Sequence, residues 1–251
     1  MEKISLCIRQ QKYGSKVILQ DINQLYDKSK IHGVLGKNGS GKTTLFHCMT
    51  GLIPYDGQRT IPNEISFGYL PAELYMYSMI TGDEFLQFYV EAKGYRYDNK
   101  EKTQLNDFFG LPLNEYAETY STGMLKKLYL LGLLLQHNEL LLLDEPFNGL
   151  DFESSAFITA LLQHLREEGK TIFVASHDLD HLFSYADTIS VIQEKTLFYY
   201  NAPTQFQSIK ESIKNEARQK VQTAMKGARG AASVDSEYKD FNPVERKPDC
   251  H

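Results

Sequence analysis

Tryptophan is absent from these 251 residues, cysteine is scarce, and there is no surplus of basic charge. The three cysteines, Cys7, Cys48 and Cys250, are odd in number and widely spaced, which excludes a disulfide framework and a paired-cysteine zinc site and predicts a reducing compartment. Lysine and arginine total 27 against 32 acidic residues, a net charge of −5. A chain so balanced lacks the general attraction to a nucleic-acid backbone, and no nucleic-acid partner is expected. No apolar run nears the roughly 20 residues needed to cross a bilayer, and the longest, around Leu128 to Leu135, is ended by Gln136, His137 and Asn138. The opening Met-Glu-Lys-Ile-Ser lacks the basic and then apolar stretch of a secretory signal, so the expected location is the cytosol.

What is present is the balance of a folded protein: 42% hydrophobic and 24% charged residues, over a length that suits one large domain or two small ones. Ile4, Leu6 and Ile8 alternate with polar neighbours and predict a half-buried strand, with another at Val17 to Leu19. Ile31 to Leu35, Leu140 to Leu143 and Thr171 to Ala175 are short, mostly apolar runs followed directly by small or polar residues, the pattern of central parallel strands covered on both faces. Between them, Phe85, Phe88 and Tyr89, then Leu105, Phe108 and Phe109, then Leu125, Leu128 and Leu131 fall at helical spacing. The order predicts an α/β core with a helical insertion over about 76–137. From about Ser208 the composition turns to Lys, Glu, Gln, Ala and Gly, with Gly227, Gly230, Pro243 and Pro248 as breaks, so 208–251 reads as a polar tail outside the core domain of 1–207.

Gly36-Lys37-Asn38-Gly39-Ser40-Gly41-Lys42-Thr43 is a full match to the phosphate-binding loop; a strand precedes it, and Thr44-Leu45-Phe46 can open a helix. The glycines let successive N–H groups curl around a phosphate, and the helix N-terminus adds positive potential. Lys42 reaches the terminal phosphates, and the Thr43 hydroxyl can ligate Mg²⁺. A second constellation, Leu140 to Leu143 followed by Asp144-Glu145-Pro146, delivers two carboxylates at the carboxyl end of a buried strand, where ligands of open α/β sheets bind. Strand alternation assigns Asp144 to the Mg²⁺ shell and Glu145, facing away from it, to a water poised for in-line attack on a γ-phosphate.

With these motifs in this order, the chain resembles the ATP-binding subunit of ABC transporters from Ile4 to about Phe206. Tyr13, followed by Gly14, is similar to the family's adenine-stacking aromatic, and Tyr120-Ser121-Thr122-Gly123-Met124 sits where its Leu-Ser-Gly-Gly-Gln signature belongs. Asn148-Gly149-Leu150-Asp151 resembles the D-loop, and Ala175-Ser176-His177 the switch histidine. The resemblance implies a P-loop NTPase core with a mostly parallel sheet, an N-terminal antiparallel strand region and an inserted helical subdomain. It also implies ATP and Mg²⁺ as ligands, held by Tyr13, Gly36, Lys37, Asn38, Gly39, Ser40, Gly41, Lys42, Thr43 and Thr44, with Thr43 and Asp144 on the metal and Glu145 and His177 catalytic. Two copies, or this chain and a relative, are expected to close on nucleotide, with Ser121 and Gly123 of one facing the phosphates of the other. The motor would serve a separate membrane-spanning permease and lie on the cytoplasmic face of the membrane. The Tyr-Ser-x-Gly-Met form resembles the signature of subunits serving exporters.

One departure is clear: in Gly68-Tyr69-Leu70-Pro71-Ala72-Glu73 the family's glutamine position holds Ala72, which offers no hydrogen-bonding group. The cluster Tyr75, Met76, Tyr77, Met79 and Ile80 follows, either an interaction patch or core packing of the insertion. His177 and His181 are four apart, but with a buried strand directly before the first, phosphate sensing is favoured over zinc, and His181 reads as a surface residue. A soluble ABC protein of ribosomes or DNA is the rival class; it carries tandem cassettes or long coiled-coil insertions, and neither occurs here.

Overall fold

The computed structural model describes residues 3–58, 61, 64–201 and 203–234. In chain order its elements are β1 (Lys3–Tyr13), β2 (Lys16–Asp27), β3 (Ile31–Leu35), α1 (Lys42–Thr50), β4 (Asp56–Gln58), β5 (Phe67–Leu70), α2 (Gly82–Glu91), α3 (Asn99–Phe109) and α4 (Thr122–Leu135). They continue with β6 (Leu140–Asp144), α5 (Phe152–Glu167), β7 (Thr171–Ser176), α6 (Leu179–Phe183), β8 (Thr188–Gln193), β9 (Thr196–Tyr200) and α7 (Pro203–Val234).

Two sheets form. β2-β1-β4 is antiparallel; β5-β6-β7-β3-β8-β9 is parallel except for the β8–β9 hairpin. The three apolar runs become β6, β7 and β3, adjacent at the centre of the larger sheet and buried along their whole length, as strands covered on both faces must be. One core cluster joins the sheets. Ile4, Leu6 and Ile8, the alternating inward set of β1, meet Leu45, Phe46 and Met49 of α1 and Leu140, Leu142 and Phe173 of the larger sheet. Each such side chain withdrawn from water contributes about 1.5–3 kcal/mol. Tyr26 and Phe173 meet edge to face at 4.8 Å in the same cluster.

Three helices, α2, α3 and α4, lie between β5 and β6, and they start at polar caps. Thr81 and Glu84 form a reciprocal capping box at α2, Asp98 caps α3, and Ser121 caps α4. The periodicity leaves β5, β8 and β9 unmarked.

By its internal packing the chain divides into two units, Met1–Phe206 and Gln207–His251. Gly227 and Gly230, which composition marks as breaks, fall inside α7. The expected polar tail is therefore helical as far as Val234, while its remainder, with Cys250, Pro243 and Pro248, lies outside the described residues.

Candidate nucleotide site

The phosphate-loop segment leaves β3 at Leu35 and enters α1 at Lys42. Gly36 donates its N–H to the Ser176 carbonyl (3.3 Å), tying the loop's start to β7, and the Lys42 ammonium donates to the Gly36 carbonyl (2.8 Å) across the loop. Gly41, at φ 109°, is the N-cap of α1 and supplies no side-chain bond, so no side chain competes for the N–H groups that open the helix. A Cβ there would also lie 3.0 Å from Leu19 and 3.1 Å from Ile18, because β2 packs directly against the loop. Gly36 is equally confined, since a Cβ would fall 2.3 Å from the Ser40 hydroxyl. That hydroxyl is buried without a hydrogen-bond partner.

Both predicted carboxylates reach this loop. The Thr43 hydroxyl donates to Asp144 Oδ2 at 2.5 Å, and the Lys42 ammonium lies 3.1 Å from Glu145 Oε1, an ion pair whose two members are 6% and 9% exposed. The alternation that would turn Glu145 away from Asp144 does not apply. The strand ends at Asp144, and Glu145 takes a left-handed backbone (φ 48°), which brings its carboxylate back over the loop. Glu145 Oε2 then meets His177 Nδ1 at 3.1 Å. Burial raises the pKa of Asp144, while the Thr43 bond opposes the shift. Asp144 Oδ1 is buried with no hydrogen bond. An orphaned carboxylate oxygen beside a threonine hydroxyl is the oxygen donor set that Mg²⁺ takes, and the glycine loop is a cradle that a β-carbon would obstruct, so these residues fit Mg²⁺ and a nucleotide phosphate.

Not every candidate joins the cluster. Lys37, Asn38 and Gly39 form the exposed crest of the loop, and Thr44 is buried in the first turn of α1. Tyr13 ends β1 and is 52% exposed at the β1–β2 turn. Ser121 is exposed at the tip of α4, its hydroxyl accepting from Met124 N–H (3.2 Å), and Gly123 follows in the first turn. A Cβ on Gly123 would stand 3.0 Å from Ser154, so the tip packs closely on the start of α5.

The two histidines separate. His177 precedes α6 and faces Glu145; His181, inside α6, packs edge-on against Phe147 at 4.1 Å and lies 3.4 Å from the Thr159 hydroxyl. His181 is therefore half-buried rather than a surface residue, and burial lowers its pKa. Tyr75, Tyr77 and Met79 are 68%, 52% and 74% exposed, and with Phe88 (55%) they make an apolar surface in which Tyr75 and Tyr77 meet edge to face at 5.1 Å. Lys126 was not singled out by motif. Its ammonium is buried in α4 and donates to the carbonyls of Glu145 (2.9 Å) and Asn148 (2.6 Å), and burial pushes its pKa down to about 8. The available signal was a lysine facing inward from the chain's most apolar helix.

The model of the family described as ABC transporter matches residues 19–148, a span holding the loop, the α4 tip and both carboxylates. The chain belongs to the ABC transporter family. Among curated relatives, this ABC protein is 29% identical over 197 residues to the linearmycin resistance ATP-binding protein LnrL of Bacillus subtilis, a match covering 72% of the chain and 63% of that protein. It is 30% identical over 204 residues to the manganese transport system ATP-binding protein MntB of Listeria innocua, covering 73% and 83%, and 33% identical over 198 residues to the bacitracin transport ATP-binding protein BcrA of Enterococcus faecalis, covering 72% and 63%. The match thus spans less than two thirds of LnrL and BcrA. A solved nucleotide-free ATP-binding cassette from an ABC transporter superposes with a TM-score of 0.72 over 84% of this chain and 96% of that one at 17% identity, a likeness of fold. Among the described residues of the ABC chain, no helix is long and apolar enough to cross a membrane.

Proposed function

We propose that the protein is the ATP-hydrolysing motor subunit of an ABC exporter, a cassette of residues 1–207 that closes around Mg-ATP with a second nucleotide-binding subunit and drives a separate membrane-spanning permease. The observation that carries this reading is the convergence of Lys42, Thr43, Asp144, Glu145 and His177 at the carboxyl edge of three neighbouring strands.

The residues divide the work by position. Lys42, now shared between the Gly36 carbonyl and the Glu145 carboxylate, is drawn to the more highly charged β- and γ-phosphates when ATP fills the loop. That exchange releases Glu145 Oε1, which then takes the proton of an attacking water, while His177, held at Oε2 through Nδ1, stands beside it to steady the γ-phosphate. Thr43 and Asp144 hold Mg²⁺, which when bound polarises phosphate oxygens as a Lewis acid. Tyr13, half exposed, is available to stack on adenine.

Ser121 and Gly123 lie at an exposed helix tip rather than in their own chain's cluster, which supports their use on the nucleotide of a partner subunit. The exposed Tyr75, Tyr77, Met79 and Phe88 supply the apolar surface a permease would cover. A protein so held would be peripheral on the cytoplasmic face of the membrane. Export is favoured by the Tyr-Ser-x-Gly-Met signature, and the names of LnrL and BcrA, which speak of linearmycin resistance and bacitracin transport, accord with it.

The test is to carry Glu145→Gln through a pull-down from native membranes with Mg-ATP, beside phosphate release by the wild type. A copurified permease, an ATP-dependent dimer and turnover lost in the variant are expected. A Glu145→Gln chain that stays monomeric at saturating Mg-ATP, even with the permease supplied, rules the motor reading out.

A further inference from the structure

The turn that follows β6 is held from both sides. Glu145 donates its N–H to the Ala175 carbonyl of β7 (2.9 Å), and its own carbonyl accepts the Lys126 ammonium (2.9 Å) together with Asn148 N–H (3.2 Å). The same ammonium reaches the Asn148 carbonyl (2.6 Å), so one cation spans the turn from first residue to last. Between those fixed points Glu145 keeps a left-handed backbone that a residue with a side chain rarely adopts unless its surroundings impose it. A buried ammonium is costly in its own right, and an apolar side chain of similar size would fill a buried position without that cost. The packing therefore does not account for a charge here; the two carbonyls do.

Lys126 also sits on the helix whose tip carries Ser121 and Gly123, five residues beyond the cap. That tip touches the far end of the same segment: a Cβ on Gly149 would lie 3.5 Å from Thr122, and one on Gly123 3.0 Å from Ser154. Helix tip and carboxylate turn are one packed unit with Lys126 as its charged tie.

We propose that Lys126 is a positioning residue for hydrolysis: by clamping the Glu145–Asn148 turn to the signature helix it fixes the angle at which the Glu145 carboxylate meets the attacking water. The inference rests on the assignment of Glu145 as base.

Its test uses the full chain. Lys126→Met keeps an unbranched apolar stem one atom shorter but loses both hydrogen bonds; kcat should fall roughly 10- to 100-fold, the scale on which an error of about 1 Å at a reacting group is felt. The KM for ATP and the affinity for a non-hydrolysable ATP analogue should stay within about twofold, because the loop residues that hold phosphate are untouched. Lys126→Arg, which keeps charge and donors, should recover most of kcat. In a Glu145→Gln background, Lys126→Met should lower the residual rate by less than about twofold, since no carboxylate remains to be aimed. If Lys126→Met does not fold, Lys126→Gln, which keeps a donor to one carbonyl, takes its place and should lose kcat with analogue affinity kept. A kcat within twofold of wild type, or equal losses of kcat and analogue affinity, overturns the proposal. Should Glu145→Gln itself retain full turnover, the base assignment fails and the inference with it; should Glu145→Gln be inactive while Lys126→Met is not, only the inference fails.

Discussion

Lowering the pH from 7 to 5 should destabilise this protein through one buried imidazole. His32 lies in the middle of β3 with no exposed surface, between the rings of Tyr26 (4.9 Å) and Phe173 (4.8 Å). Its Nε2 faces the Asp27 carbonyl (2.8 Å), which can only accept, so that nitrogen carries the proton; Nδ1 then accepts from the Thr188 hydroxyl (2.7 Å). The neutral ring is fully satisfied, and burial pushes its pKa down to about 4, the bond to the Asp27 carbonyl and the charge of nearby Asp187 opposing the shift only in part. In the unfolded chain the same group titrates near 6.5. Between those values the unfolded state binds the extra proton and the folded state refuses it, so stability falls as pH drops from about 6.5 toward about 4 and is level above that window. At pH 5 the unfolded state gains about 30-fold over the folded one, a loss of about 2 kcal/mol. The assay is urea unfolding of the nucleotide-free protein and of His32→Gln at pH 7.5 and pH 5.0. Carboxylates common to both proteins cancel in the difference, which should move by about 2 kcal/mol in favour of the variant at the lower pH. A wild-type-minus-variant difference that is flat with pH would refute the reasoning, because it would mean that the buried ring either accepts its proton freely or is never exposed on unfolding.

Other outcomes follow from single contacts. Ala72→Gln should raise ATP turnover by supplying the hydrogen-bonding group this position lacks, and an unchanged rate and metal dependence in a phosphate-release assay would dispose of the idea. Gly68→Ala places a Cβ 2.7 Å from Leu133 Cδ2 and 2.8 Å from Asn138 Nδ2. It should therefore cost about 1–3 kcal/mol of overpacking, read as a lower denaturant midpoint at unchanged slope. Ser121→Ala removes the α4 cap and should cost about 1 kcal/mol in the isolated chain. Ser121→Gly should recover most of that stability and none of the nucleotide-dependent pairing, so equal recovery of both would argue against a role for the hydroxyl at the subunit interface.

The central strands, the loop and the paired carboxylates are legible in sequence because each is local: β3, β6 and β7 are short, mostly apolar runs, and Gly36 to Thr43 is contiguous. What pattern could not carry was relation across the chain. β5 owes its strand state to pairing with β6, register Phe67 with Leu140, rather than to its own four residues. Alternation assigns Glu145 to the opposite face from Asp144, and it fails where the chain leaves the strand in a left-handed turn held by Ala175 and Lys126. No motif marks Lys126 or His32, because a charged or titratable residue in an apolar stretch acquires meaning only from distant carbonyls and hydroxyls. Conversely, Gly227 and Gly230 look like breaks by propensity, a weak prior, yet lie inside α7.

The strand order has a bearing on biogenesis. β3 and β6, which present the phosphate loop and the acidic pair, are not paired with each other; β7, a later-made strand, lies between them and bonds to both. A nascent chain that has emerged as far as residue 170 already carries both motifs but lacks the spacer that sets their separation, and Gly36 still has no Ser176 carbonyl to hold it. Competence to take up ATP should switch on as that ribbon threads into the gap, which makes nucleotide capture a built-in report that the strand between the two motifs is in place.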